Sequence, residues 1–107
     1  MAKSSECHGF YKLGIAERLE FLKGFSGLTD EEAGLLRKEG GLSLDRAERK
    51  IENVVGFMPI PLGIAVNFLI NGKDYLIPMA IEEPSVVAAA SNAARMARPS
   101  GGFGPAA

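Results

Sequence analysis

Two adjacent acidic side chains, Glu82 and Glu83, stand directly before Pro84 and an alanine-rich run. Repulsion between neighbouring carboxylates raises the free energy of ionising both, so one of them is a candidate general acid or base. Ser85 follows in the same predicted first helical turn, where its hydroxyl and the free backbone amides could hold a carboxylate or phosphate. A purely structural interpretation is also open, because acids and serine are favourable at helix starts.

A second polar group interrupts an apolar stretch at residues 52–56, which read ENVVG. Buried polar groups need partners, so Glu52 and Asn53 are predicted either to hold a loop or to contact a ligand. Cys7 and His8 are adjacent but have no companions at metal-ligand spacing, and no metal site is predicted. The sequence contains no phosphate-binding loop, no nucleophile elbow and no G-x-G-x-x-G motif.

The composition is that of one small globular domain. The 107 residues are 47% hydrophobic and 23% charged, with a net charge of −1, so neither nucleic acid nor an acidic membrane surface is a predicted partner. Residues 53–72 carry no charge, but Pro59, Pro61 and Asn67 favour a buried β-segment over a membrane span. No signal peptide is visible, and the single cysteine fits a reducing, cytoplasmic location.

The N-terminal half is predicted to be helical after a loose tail at residues 1–9. Apolar residues at helical spacing predict a first helix over residues 13–25. Thr29 and Glu32 form a capping-box pattern, in which each side chain bonds the other residue's amide, and this predicts the start of a second helix.

The second helix is expected to end near Gly40 or Gly41, either of which can adopt a left-handed conformation. Ser43 is predicted to cap a third helix that continues to about Ile51. Prolines then exclude helix until the next element.

A β-hairpin is predicted from two apolar runs, residues 62–70 and 75–79, around Asn71-Gly72. This dipeptide suits a type I′ turn, which needs positive φ at both positions. The two-residue loop predicts four pairs: Ile70 with Lys73, Phe68 with Tyr75, Val66 with Ile77, and Ile64 with Met79. One face would then be apolar and buried, with Ile64, Val66, Phe68, Ile70, Tyr75, Ile77 and Met79.

The final predicted element is a long alanine-rich helix. Glu83 is placed at its N-cap and Pro84 at its first position, where the missing amide costs nothing. The helix should cover residues 85–97 and stop at Arg98 before a linker-like segment, residues 99–107. The predicted fold class is therefore α+β: three short helices, a β-hairpin and one long helix.

Three stretches together resemble one enzyme family: residues 51–68, residues 71–91 and residues 97–103. They are similar to the N-terminal part of 3-hydroxy-3-methylglutaryl-coenzyme A (HMG-CoA) reductase. The ENVVG and EEPSVVAAAS motifs, in this order and separation, are specific to it. The EEPS form resembles the soluble class II branch of archaea and bacteria.

The resemblance implies reduction of HMG-CoA to mevalonate and CoA, with two hydrides from NADPH or NADH. It implies that Glu83 is the catalytic acid and that Ser85 contacts the HMG moiety. Glu52 and Asn53 would lie near substrate at a homodimer interface. Residues 10–98 would be the N-terminal part of the large HMG-CoA-binding domain, and residues 99–107 a linker toward a cofactor-binding domain.

The chain departs from the family pattern in its length. The family's catalytic lysine, aspartate and histidine, and its cofactor-binding domain, are expected beyond Ala107. The 107-residue piece is therefore expected to be inactive alone. Two alternatives stay open: a non-catalytic fragment that self-associates or pairs with a reductase chain, and a small CoA-thioester binding module.

Overall fold

The computed structural model describes residues 3–38 and 41–104. Its helices and strands are, in chain order, α1 (Ile15–Ser26), α2 (Asp30–Arg37), α3 (Leu44–Glu48), β1 (Leu62–Ile70), β2 (Lys73–Ala80) and α4 (Val86–Ala97), with short 3-10 turns at Phe10–Lys12 and Arg98–Ser100. Strands β1 and β2 form an antiparallel hairpin, and α4 packs on β1. The predicted α+β class is confirmed.

The predicted N-terminal caps of α2 and α3 are confirmed. The Thr29 amide donates to Glu32 Oε1 at 2.9 Å, and the Glu32 amide donates to Thr29 Oγ1 at 3.1 Å. Ser43 Oγ accepts from the Arg46 amide at 3.2 Å. These caps form because each joins groups three residues apart, so local sequence suffices to specify them.

The predicted helix ends are less accurate. Helix α2 ends at Arg37; Gly40 lies outside the described residues, and Gly41 does not have a positive φ. Helix α3 ends at Glu48 and does not reach Ile51, which is exposed. Short helices depend on tertiary packing, and no residue of α3 beyond Ala47 is buried to extend it.

The hairpin register agrees with the prediction only near the turn. Ile70 pairs with Lys73 and Phe68 with Tyr75, as expected. Val66 and Asn67 then both stand opposite a single residue of β2, which is a β-bulge. Beyond it the register is shifted by one residue, so the predicted pairs of Val66 with Ile77 and Ile64 with Met79 are wrong. The observed partners are Ala65 with Ile77 and Gly63 with Met79.

The bulge also changes which side chains are buried. Three consecutive residues, Ala65, Val66 and Asn67, are buried, whereas Tyr75 of the predicted apolar face is exposed. Asn67 has a φ of 73°, in the left-handed region. Its side chain accepts from the Cys7 amide at 2.9 Å and donates to the Ser91 carbonyl at 3.1 Å. These bonds to distant segments compensate for the interrupted ladder.

Residues 5–7 are attached to the hairpin and do not form the expected loose tail. Ser5 is 0% exposed. Its amide donates to Asp74 Oδ1 at 2.8 Å, and its hydroxyl donates to the Phe68 carbonyl at 2.8 Å. The Asn67 amide donates to the Ser5 carbonyl at 2.9 Å. The segment is held because the bulge and Asp74 present polar groups that need partners.

Arg98 completes this buried polar cluster from the end of α4. Its guanidinium lies 3.1 Å from Asp74 Oδ1, and the two side chains are only 16% and 22% exposed. It also donates to the Asn67 carbonyl at 3.1 Å and to Ser5 Oγ at 3.2 Å. Burial opposes ionisation of Asp74, but the Ser5 hydrogen bonds and the Arg98 charge outweigh it and lower the pKa of Asp74.

The lowered pKa of Asp74 predicts a loss of stability in acid. A carboxyl group whose pKa is depressed by folding stabilises the fold above its unfolded pKa, near 3.8, and loses that contribution as the pH falls through the lower folded value. We therefore expect the thermal unfolding temperature to decrease as the pH is lowered below about 4. The decrease should be smaller in Asp74→Asn. Asp45→Asn, at an exposed position on α3, is the matched control. Identical pH profiles for wild type and Asp74→Asn would contradict this prediction.

The segment after α4 lies against the hairpin. The Phe103 amide donates to the Leu69 carbonyl and the Asn71 amide donates to the Phe103 carbonyl, both at 2.8 Å. The rings of Phe68 and Phe103 stack with centroids 5.6 Å apart. The part of the predicted linker up to residue 104 is therefore paired with β1 on the edge that β2 leaves free.

Candidate functional site

The candidate acids lie in the turn that connects β2 to α4. The Ile81 amide donates to the Pro61 carbonyl at 3.2 Å, which attaches the start of the turn to the segment before β1. The turn ends at Ser85, the N-cap of α4, whose φ is 76°. The Ser85 carbonyl accepts the first helical bond, from Ala89, at 2.8 Å.

The predicted helix start is wrong by two residues. Glu83 is not the N-cap and Pro84 is not the first helical residue, because helix begins at Val86. The position of α4 is set by its contacts with β1, where Ala65 and Ala94 are both 0% exposed. The backbone must reverse direction between β2 and this fixed helix, and the left-handed Ser85 is part of that reversal.

Both acids present their carboxylates to solvent. Glu82 and Glu83 are exposed, and neither has a side-chain hydrogen bond or ion pair within residues 3–38 and 41–104. Ser85 is exposed as well, and its hydroxyl does not cap the helix. None of these three side chains caps the helix, so the purely structural interpretation of them is wrong. All three groups are available to a ligand.

A shallow depression of about 390 Å³ lies beside the acids. Its lining is mostly apolar, and Glu82 and Glu83 are its acidic members. The lining residues are Pro61, Leu62, Gly63, Ile81, Glu82, Glu83, Pro84 and Val87. An apolar surface next to a free carboxylic acid can hold an acyl group while the acid exchanges a proton with it.

The structure does not bring Glu52 and Asn53 to this depression. Both residues are exposed, so the expectation of buried polar groups is wrong. Asn53 has a φ of 60°, which asparagine tolerates in turns. Neither side chain has a hydrogen bond to another described residue, so both amide and carboxylate are free.

The apolar segment before β1 is also exposed, contrary to the prediction of a buried β-segment over residues 53–72. Val55 is 101% and Met58 91% exposed. Strand β1 begins only at Leu62, and residues 54–61 have neither helix nor strand. Within this segment only Val54 is partly buried, and residues 55–61 are all exposed. Sequence patterns indicated apolar character here correctly but could not show which surface would cover it.

A larger open groove of about 1940 Å³ separates the N-terminal helices from the hairpin and α4. Apolar side chains dominate it, among them Leu22, Leu36, Phe57 and Val66, and Arg95 also lines it. Sequence analysis did not find this groove, because it arises from the spacing between elements. It does not include Glu82 or Glu83.

The family model described as hydroxymethylglutaryl-coenzyme A reductase matches residues 14–106. The chain belongs to this family. The match covers every helix and strand from α1 to α4 and includes the turn with the two acids. The resemblance inferred from the sequence motifs is therefore confirmed.

Relatives within the HMG-CoA reductase family are similar over nearly all or over part of this chain. The 3-hydroxy-3-methylglutaryl-coenzyme A reductase of Archaeoglobus fulgidus is 67% identical over 102 residues, which are 95% of this chain and 23% of the relative. A probable reductase of Borreliella burgdorferi is 52% identical over 46 residues, 43% of this chain and 11% of the relative.

A solved structure shares the fold of this family member. The class II 3-hydroxy-3-methylglutaryl-CoA reductase of Streptococcus pneumoniae, bound to NADPH in open conformations, superposes with a TM-score of 0.80 and 41% identity over 91% of this chain and 26% of that chain. The chain thus spans about a quarter of the relatives' length, at 23% and 26%. Among the described residues, no helix is both long and apolar enough to cross a membrane.

Proposed function

We propose that this chain is part of an enzyme that reduces HMG-CoA to mevalonate and CoA with NADPH or NADH. The observation that carries the proposal is the 67% identity to the Archaeoglobus fulgidus reductase over 95% of the chain. The NADPH-bound Streptococcus pneumoniae structure supports the choice of cofactor. Residues 10–98 belong to the large HMG-CoA-binding domain in this proposal, and residues 99–107 lead to a domain that holds the cofactor.

Glu83 is the proposed catalytic acid. A bound nicotinamide would supply hydride to the carbonyl carbon of the substrate, and the carbonyl oxygen then requires a proton. An exposed carboxylic acid beside an apolar depression is suited to deliver that proton. Glu82 shares the exposure of Glu83, so geometry alone does not separate them. The resemblance of residues 82–85 to the family's EEPS motif favours Glu83.

Ser85 is the proposed contact to the HMG moiety. Its hydroxyl is free at the start of α4, where backbone amides and the helix dipole favour a negatively charged group such as the HMG carboxylate. Glu52 and Asn53 are also proposed to contact substrate. Because they lie away from the depression in this chain, their role requires a homodimer partner or another part of a longer reductase.

The decisive test is HMG-CoA-dependent oxidation of NADPH or NADH by a purified full-length chain that carries residues 1–107. We expect turnover with release of CoA thiol and formation of mevalonate. Absence of turnover with both cofactors, in a folded protein that still binds HMG-CoA, would support the CoA-thioester binding module instead. The 107-residue polypeptide alone is the control, and we expect it not to turn over because it spans only 23% of the related enzyme.

The isolated 107-residue polypeptide is expected to self-associate. Val55, Phe57, Met58 and Ile60 are all exposed along one segment, and apolar patches of more than a few hundred Å² tend to find a partner. Sedimentation velocity over a range of concentrations should show a rising average mass. A Met58→Lys variant should associate less, because it places a charge in the patch. A sharp monomer at all concentrations would contradict this expectation.

A further inference from the structure

We propose that Gly63 and Val87 are positioning residues that set the place of Glu83. This inference rests on the proposed function, since it concerns the same carboxylate. Neither residue is acidic or nucleophilic, and neither reacts. They determine where the backbone turn at residues 81–85 lies, and the turn carries the acid.

The turn has few other supports. The side chains of Glu82, Glu83 and Ser85 have no hydrogen bond to any residue in the described ranges. At its start the turn is attached by the Ile81 amide, which donates to Pro61 at 3.2 Å. At its end it leads into α4, where Val87 lies against Gly63 of β1. The backbone that carries Glu83 is therefore held by the Ile81–Pro61 hydrogen bond on one side and by the Val87–Gly63 contact on the other.

Gly63 is required for space rather than for backbone conformation. Its φ is not positive, so other residues could adopt it. A Cβ at this position would lie 3.1 Å from Val87 Cγ2 and 3.5 Å from Val87 Cγ1. Such a contact is tighter than two methyl groups normally make, so Val87 would have to give way by a few tenths of an ångström. In this proposal the N-terminal end of α4 moves away from β1 with it.

This movement cannot spread evenly along α4. The Ser91 hydroxyl accepts from the Val66 amide at 3.0 Å, and Ala94 is fully buried against β1. These contacts hold the middle of the helix, so displacement at Val87 is concentrated at its N-terminal end. Glu83 is four residues before Val87 and moves with that end.

The experiment is a set of variants in the full-length reductase, assayed with HMG-CoA and NADPH. Gly63→Ala should lower kcat by about tenfold, since misplacement of a catalytic group by ~1 Å can cost about 10²-fold. KM for HMG-CoA should change less than about threefold. Val87→Ala alone should also lower kcat, because it removes the packing contact at the end of the turn and leaves only the Ile81–Pro61 hydrogen bond at its start. The double variant Gly63→Ala/Val87→Ala restores one methyl group from the opposite side and should recover most of the rate.

Two controls separate positioning from general destabilisation. Val86→Ala shortens the neighbouring valine, which does not line the depression, and Gly34→Ala adds a methyl group where no atom lies within 4 Å. Both should keep kcat within about twofold. If Gly63→Ala does not fold, Val87→Ala and its double variant still test the contact. A native kcat for Gly63→Ala or for Val87→Ala, or additive losses in the double variant, would overturn the inference.

A Glu83→Gln background distinguishes this inference from the proposed function. If Gly63 acts through Glu83, Gly63→Ala should cause no further loss in that background. If Gly63→Ala lowers kcat by the same factor in the Glu83→Gln background as in the wild type, the positioning role is overturned while the catalytic role of Glu83 stands. A near-native rate for Glu83→Gln itself would instead remove the catalytic assignment.

Discussion

Replacing Glu83 by Gln in a full-length chain is expected to lower kcat by about 10²-fold or more, the usual contribution of general acid–base catalysis. Glutamine keeps the size and polarity of the side chain but cannot exchange a proton. KM for HMG-CoA should change little, because the lost interaction belongs to the transition state. Steady-state kinetics with varied HMG-CoA measures both constants.

Glu82→Gln is the matched control for this prediction. The two side chains are adjacent and exposed, and both line the same depression. We expect Glu82→Gln to reduce kcat much less than Glu83→Gln. Equal losses from the two variants, or a near-native rate for Glu83→Gln, would show that the wrong carboxylate was assigned.

Replacing Gly102 by Ala should destabilise the fold more than any other glycine substitution in the described residues. A Cβ on Gly102 would lie 2.2 Å from the Leu69 carbonyl oxygen and 2.8 Å from Leu69 Cβ, at a φ of 75°. Relief of this overlap requires separation of residues 102–103 from β1, with loss of the Phe103 backbone bonds and the Phe68–Phe103 stacking. We expect a loss of about 3 kcal/mol or more in the free energy of unfolding.

Gly101→Ala is the control that separates the cost of steric overlap at Gly102 from the cost of backbone strain. Gly101 also has a positive φ, 97°, but a Cβ there would meet no atom within 4 Å. Its cost should be limited to strain, on the order of 1 kcal/mol. Chemical denaturation of both variants gives the comparison. Similar losses would show that the segment after α4 is not held tightly against the hairpin.

The position of Glu83 shows how local and tertiary information combine at the candidate site. The EEPS motif indicated, through its resemblance, the correct family, and the assignment of Glu83 as the acid remains a prediction. Its local pattern also predicted Glu83 as an N-cap, and this was wrong because α4 starts at Val86. The start depends on where Val87 and Ser91 meet β1, and those contacts join residues 24 and 25 positions apart.

Local sequence determined the elements whose stabilising bonds join neighbours in the chain. The Thr29–Glu32 and Ser43–Arg46 caps form between residues three apart, and the Asn71-Gly72 turn follows from the positive φ that both residues adopt. The α+β order of elements and the family resemblance were recognisable for the same reason, since each depends on a contiguous pattern.

Only the tertiary structure decided the bulge, the buried polar cluster and the exposed apolar segment. The bulge at Asn67 depends on bonds to Ser5, Cys7, Ser91 and Arg98, which come from both ends of the chain. Periodicity predicts that alternate residues of a strand share a face, but it cannot predict an extra residue that distant partners stabilise. The hydrogen bonds of Ser5 and the exposure of Val55 follow from packing between separate segments, which no local pattern encodes.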